Sequence, residues 1–138
     1  MSLSRQRRFP RSMVSVRAAR EFTTGTLAEW GLTDRTDDIR LCVSELATNA
    51  LLHGVPSGRE FCVQLVVDGA LVRIEVRDSG RGCPEVRSPD SAQVTGRGLH
   101  LVRQLADDFG ITEHVVGKTV WLAFKCQTAL KGTGDGVL

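Results

Sequence analysis

Glu45 and Asn49 stand four residues apart in Glu45-Leu-Ala-Thr-Asn49. On a helix that spacing puts both on one face, one turn apart, and His53 extends the stripe by another turn. An asparagine carbonyl oxygen is a neutral, hard ligand suited to a Mg2+ ion that also holds phosphates. A carboxylate one turn away can orient a nucleophile or take its proton. A second motif, Asp78-Ser-Gly80-Arg-Gly82, opens on an acidic residue. An ionised Asp only accepts hydrogen bonds. It can receive the exocyclic amine of adenine, but it meets another acceptor at the matching position of guanine. Gly80 and Gly82 let the backbone turn sharply and approach a flat base. The third motif, Thr95-Gly96-Arg97-Gly98-Leu99, leads into an amphipathic stretch. Free N–H groups at a helix start favour anions, and Arg97 offers a charge-assisted contact. Singly, the motifs also read as a polar helix margin, a hydrophilic turn and a glycine-rich helix entry. In this order they point to a bound nucleotide, with ATP favoured. Neither a Walker A loop nor a Rossmann fingerprint is present.

Positioning these residues takes helices and strands in a definite order. Val16, Ala19, Phe22, Thr26, Leu27 and Trp30 recur at helical spacing from Ser15 onward, with Gly31 as a stop. Thr33 or Asp34 can cap a second helix running to about His53, with Ile39, Cys42, Val43, Leu46 and Ala50 on its apolar face. The period then becomes two: Phe61, Val63, Leu65 and Val67 alternate with polar or smaller residues. Asp68-Gly69 signals a hairpin, and Leu71 to Arg77 is the return strand. Residues 83–97 lack periodicity, and Cys83 to Thr95 are expected to form a mobile lid over a triphosphate. A third helix carries Leu99, Val102, Leu105, Ala106 and Phe109 and closes at Gly110. A second hairpin follows, Ile111 to Val116 and Thr119 to Lys125, and Arg7 to Ser12 forms a short edge strand. This order predicts an α+β fold: two layers, with three helices covering one face of a mixed, mostly antiparallel sheet.

The 138 residues suffice for one domain with a real core. The expected division is an N-terminal arm over 1–8, the domain over 9–126 and a frayed tail over 127–138. A net charge of +2 is too small to argue for direct nucleic-acid binding. No apolar run approaches a membrane span, so a cytoplasmic chain with no membrane partner is expected. Arg5, Arg7, Arg8 and Arg11 cluster near the N-terminus. They read as a solvated arm or edge strand, or as a docking point for an acidic partner. Cys42, Cys62, Cys83 and Cys126 show no metal-type spacing and suggest no disulfide framework.

Together the motifs resemble the GHKL ATPases, over about residues 9–125. Ser44-Glu45-Leu-Ala-Thr-Asn49-Ala-Leu-Leu-His53-Gly54 is similar to the metal-binding N box of that superfamily. Val76-Arg-Asp78-Ser-Gly80-Arg-Gly82 is similar to its adenine box, and Gly96-Arg-Gly98-Leu99 to its second glycine box. Gly117-Lys118-Thr119 resembles the closing turn whose Thr assists the adenine-reading Asp. The run Thr95-Gly-Arg-Gly-Leu-His-Leu-Val-Arg-Gln-Leu-Ala-Asp-Asp108 looks most like the small, single-domain anti-sigma-factor serine/threonine kinases of actinobacterial type. The resemblance implies a Bergerat-type, histidine-kinase-like ATPase fold. It implies ATP and Mg2+ as cofactors, Asn49 as metal ligand, Glu45 as catalytic base and Asp78 as adenine reader. Gly80, Gly82, Gly96, Arg97, Gly98, Leu99 and Thr119 complete the implied nucleotide site. The implied function is phosphorylation of a small antagonist protein in a sigma-factor cycle. The alternative is a non-catalytic ATP-binding module that sequesters a sigma factor or another regulatory partner. A homodimer is a further implication. A sensor histidine kinase does not fit, because there is no phosphoacceptor segment and His100, inside the third helix, is a poor substitute.

Overall fold

The computed structural model describes residues 2–54, 59–78, 96–114 and 117–126. In chain order the elements are β1 (Ser2–Pro10), α1 (Met13–Glu29), α2 (Thr36–Asn49), a π-helical turn (Ala50–Gly54), β2 (Glu60–Asp68), β3 (Leu71–Asp78), α3 (Gly96–Leu105), β4 (Asp108–Glu113) and β5 (Lys118–Lys125). The five strands form one sheet in the order β1-β2-β3-β5-β4. All four pairings are antiparallel, the antiparallel extreme of the sheet expected. Three helices pack on one face, giving the two-layer α+β architecture.

Alternation explains the layering. Phe61, Val63, Leu65 and Val67 of β2 and Val72, Ile74 and Val76 of β3 are buried toward the helices. Cys62, Gln64, Arg73, Glu75 and Arg77 point the other way. The hairpin turns on Gly69, whose φ of 64° suits glycine. β1 begins at Ser2, so the residues expected as an arm are hydrogen-bonded to β2 along the sheet edge. Phe9 ties that edge to the core, with ring centroids 5.5 Å from Phe61 and 5.9 Å from Phe22.

Helix ends have local causes. The Ser12 hydroxyl accepts from the Val14 N–H at 3.3 Å and opens α1. Gly31, at φ 73°, closes it: its N–H donates to the Ala28 carbonyl and that of Leu32 to the Leu27 carbonyl. Thr23 and Thr26, buried on α1, donate to the carbonyls of Ala19 and Phe22, so neither of these hydroxyls is stranded in the core.

Two expectations are corrected. Neither Thr33 nor Asp34 caps α2; the cap position is Arg35, and Asp37 and Asp38 instead supply negative charge to the first turn. α3 stops at Leu105, and Phe109 and Gly110 belong to β4. Phe109 pairs with Leu122 and Gly110 with Trp121. A Cβ on Gly110 would lie 2.6 Å from the Trp121 ring, so glycine there admits the indole and does not end a helix.

Candidate functional site

Asp78 ends β3 on the helix-facing side of the sheet, in register with Phe61, and is 5% exposed. Its Oδ1 accepts from the Lys118 backbone N–H at 3.2 Å. Gly117, at φ 79°, makes this approach feasible. A Cβ there would collide with the Asp78 carbonyl oxygen and come 2.6 Å from Oδ1. The start of β5 thus folds directly over the carboxylate.

Across from Asp78, α2 brings Asn49 on its last turn. Asn49, Asp78 and Lys118 line one narrow pocket, walled by Leu46, Ala50, Val76, Ile111 and Val120. The Asn49 Nδ2 is buried with no hydrogen-bond partner among the described residues. A buried, unsatisfied amide costs free energy, and a bound group that engages it removes that penalty. Immediately after Asn49 the helix widens into the π-helical turn Ala50–Gly54, a distortion common at functional sites. Glu45, half-buried, lies one turn before Asn49 on the same face. Arg20 of α1 donates to the Ser44 hydroxyl at 3.2 Å and braces the helix beside Glu45. Cys42, deeper on α2, has its thiol pushed up to about 12, chiefly by burial; it is an inert core group.

Gly96, Arg97, Gly98 and Leu99 are themselves the first turn of α3. The sequence suggests a loop feeding the helix; in fact the helix begins within the motif, where N–H groups lack intrahelical acceptors. Gly80, Gly82 and the stretch from Cys83 to Thr95 lie outside the described residues. Thr119 takes a different position from the one implied. By register it shares the opposite sheet face with Arg77 and Thr112, and its Oγ1 lies 2.8 Å from His114 Nε2. Among the described residues, the Lys118 backbone N–H is a group of the closing turn that reaches Asp78. Residue type could not reveal this, since every residue but proline carries that donor. The parity of Val120, Leu122 and Phe124 was the available signal: it puts Lys118, not Thr119, on the Asp78 side.

An acidic hydrogen-bond acceptor and a buried amide thus share one largely apolar pocket. The model of the histidine kinase-like ATPase domain matches residues 9–124. The chain belongs to this family. Among similar proteins is an anti-sigma F factor of Anoxybacillus flavithermus, 31% identical over 101 residues, which cover 64% of this chain and 68% of that protein. Another is an anti-sigma F factor of Geobacillus stearothermophilus, 29% identical over 102 residues, 65% of this chain and 69% of that protein. A crystal structure of the RsbU and RsbW domains of a Mycobacterium tuberculosis protein superposes with a TM-score of 0.70, covering 90% of this chain and 32% of the other. Its identity of 22% makes this a likeness of fold. Histidine kinase-like ATPase domains bind ATP with Mg2+ in general, and the donors here fit that pair. Asn49 offers a neutral oxygen for the ion and Asp78 an acceptor for an amine. No helix among the described residues is long and apolar enough to cross a membrane.

Proposed function

We propose that this histidine kinase-like ATPase domain is a Mg-ATP-dependent protein serine/threonine kinase acting in a sigma-factor control cycle, as its likeness to anti-sigma F factors suggests. The observation that carries the reading is the pocket in which Asn49 and Asp78 meet with the Asn49 amide unsatisfied. Asp78 accepts the adenine amine while Gly117 and the Lys118 N–H fix its carboxylate. Asn49 holds Mg2+, which when bound neutralises phosphate charge. The N–H groups of the Gly96–Leu99 turn, with Arg97, receive phosphate oxygens. Glu45 takes the proton of a Ser or Thr hydroxyl on a small antagonist protein as its oxygen bonds to the γ-phosphorus. The bond to the bridging oxygen breaks and ADP leaves. Positioning and electrostatics supply most of the rate.

Labelled-phosphate transfer to candidate antagonist proteins, with nucleotide affinity measured in parallel, tests the assignment. Asn49→Ala is expected to weaken Mg-ATP binding itself. Glu45→Gln is expected to leave affinity within about a few-fold while slowing transfer by on the order of 10²–10⁴. Transfer by Glu45→Gln at the parent rate would remove Glu45 as base. A parent chain that phosphorylates no candidate, yet binds a sigma factor only with ATP, is instead a non-catalytic sequestering module.

A further inference from the structure

The N-terminal arginine cluster is divided by the sheet. Arg5 and Arg7 share the helix side with Phe9. There Arg5 pairs with Glu29 at 2.9 Å and lies over Trp30, and Arg7 lies over Phe9. Arg8 faces the other way, onto the side of the sheet that no described helix covers. The register sets it directly opposite Cys62, and Cys62 opposite Arg77. The next row is Gln6, Gln64 and Glu75. Past the end of β1, the Arg11 N–H donates to the Arg59 carbonyl at 3.1 Å and brings two more arginines to the same end. The result is a trough of about 810 Å³ over β1, β2 and β3, with Arg8, Arg11, Arg59 and Arg77 set against Glu60 and Glu75. All four arginines are exposed. Glu75 is already engaged by Arg73 at 2.7 Å.

We infer that this trough docks an acidic peptide segment of a partner protein. The sign of the surplus charge requires an anionic ligand, since exposed guanidinium groups favour carboxylates in fork geometry. The two glutamates on the walls oppose an evenly charged polyanion such as nucleic acid, whose affinity comes from phosphate neutralisation along its length. The Gln6–Gln64 pair on the floor offers amide donors and acceptors together, the complement of a peptide backbone. Cys62 adds no charge: burial pushes its thiol up, although Arg8 pulls it down. Two segments of this chain are ruled out as the occupant. Residues 79–95 carry Arg81 and Arg87 against Glu85 and Asp90, and residues 127–138 carry Lys131 against Asp135, so neither segment is acidic. The trough lies on the opposite sheet face from the Asp78 pocket. The proposal therefore stands whether or not Glu45 acts as a base.

The probe is a short fluorescein-labelled peptide of alternating Glu and Ser, titrated with the full chain and followed by anisotropy at low and moderate salt. The expected result is saturable binding that weakens with salt and falls at least about tenfold in Arg8→Glu/Arg59→Glu. Arg17→Glu, an equally charge-reversing change on the exposed face of α1, is expected to leave binding unchanged. Unchanged circular dichroism and ATP affinity in the double variant tie the loss to the trough. No binding of the acidic peptide, or an equal loss in Arg17→Glu, overturns the proposal. Tighter binding of a single-stranded oligonucleotide, lost in the same double variant, replaces it with a nucleic-acid surface.

Discussion

Two residues shape the Asp78 pocket by different physics. Asp78 is an acceptor-only group; on the proposed reading it accepts from the adenine amine, so Asp78→Asn puts a donor there. ATP binding is expected to weaken by roughly 1.5–3 kcal/mol, the range for hydrogen bonds to charged groups. The parent's preference for ATP over GTP should shrink with it. Isothermal calorimetry checks both, and equal affinities of the parent for ATP and GTP would remove Asp78 as base reader. Gly117 works through space and backbone. Gly69 and Gly117 both sit at positive φ, but a Cβ at Gly69 meets nothing within 4 Å, whereas one at Gly117 meets Asp78. Gly69→Ala is expected to cost about 1 kcal/mol of strain. Gly117→Ala should cost more and also lower ATP affinity. Urea unfolding and calorimetry of the pair separate strain from collision.

Among the elements, α3 depends on a side chain from outside itself. Arg35, ahead of α2, donates to the Leu105 carbonyl at 2.7 Å, to Asp107 at 3.2 Å and to Asp38 at 3.2 Å, and lies over the Phe124 ring. It thereby closes the C-terminal end of α3, the helix whose first turn carries Gly96 and Gly98. Arg35→Ala is expected to cost roughly 1–3 kcal/mol, since it strands a carbonyl and two partly exposed carboxylates. Lys should not rescue it, because it lacks the planar fork. The same knot sets an acid response. The Lys125 backbone N–H, followed by Arg35, lowers the Asp107 pKa. A carboxylate with a depressed folded pKa stabilises the fold above its unfolded value, near 4, and that contribution is lost as pH falls through the folded pKa. Thermal melts from neutral pH down to about 3 should therefore fall less steeply for Asp107→Asn than for the parent. Identical slopes would mean that the ionised Asp107, held by the Lys125 N–H and Arg35, contributes no net stability.

At the scale of the whole molecule, ligand and fold are one equilibrium. Residues from α2, β3, β4 and β5 converge on the pocket, so a ligand held there binds only the folded chain. Mg-ATP at a hundred times its Kd is expected to add about 2.7 kcal/mol and to raise Tm by roughly 10 °C. Asp78→Asn should lose most of that rise at the same nucleotide concentration; a parent melt unmoved by Mg-ATP would contradict the nucleotide reading. The two-layer fold was legible in the chain because period-two and period-3.6 patterns are local: Phe61 to Val76 announced a hairpin, and Ile39 to Ala50 a helix. So were Glu45, Asn49 and Asp78 as candidates, since their chemistry follows from residue type and their spacing from helix geometry. Only the folded chain decided which of them meet. Asn49 and Asp78 share a pocket because α2 crosses the end of β3. Thr119 faces away because strand parity, not proximity in sequence, assigns a side chain to a layer. Phe109 was misread as helical because a single apolar residue fits either period, and pairing with Leu122 broke the tie. The arginine trough was likewise invisible: Arg8, Arg59 and Arg77 are far apart along the chain and become neighbours only through the register of three strands.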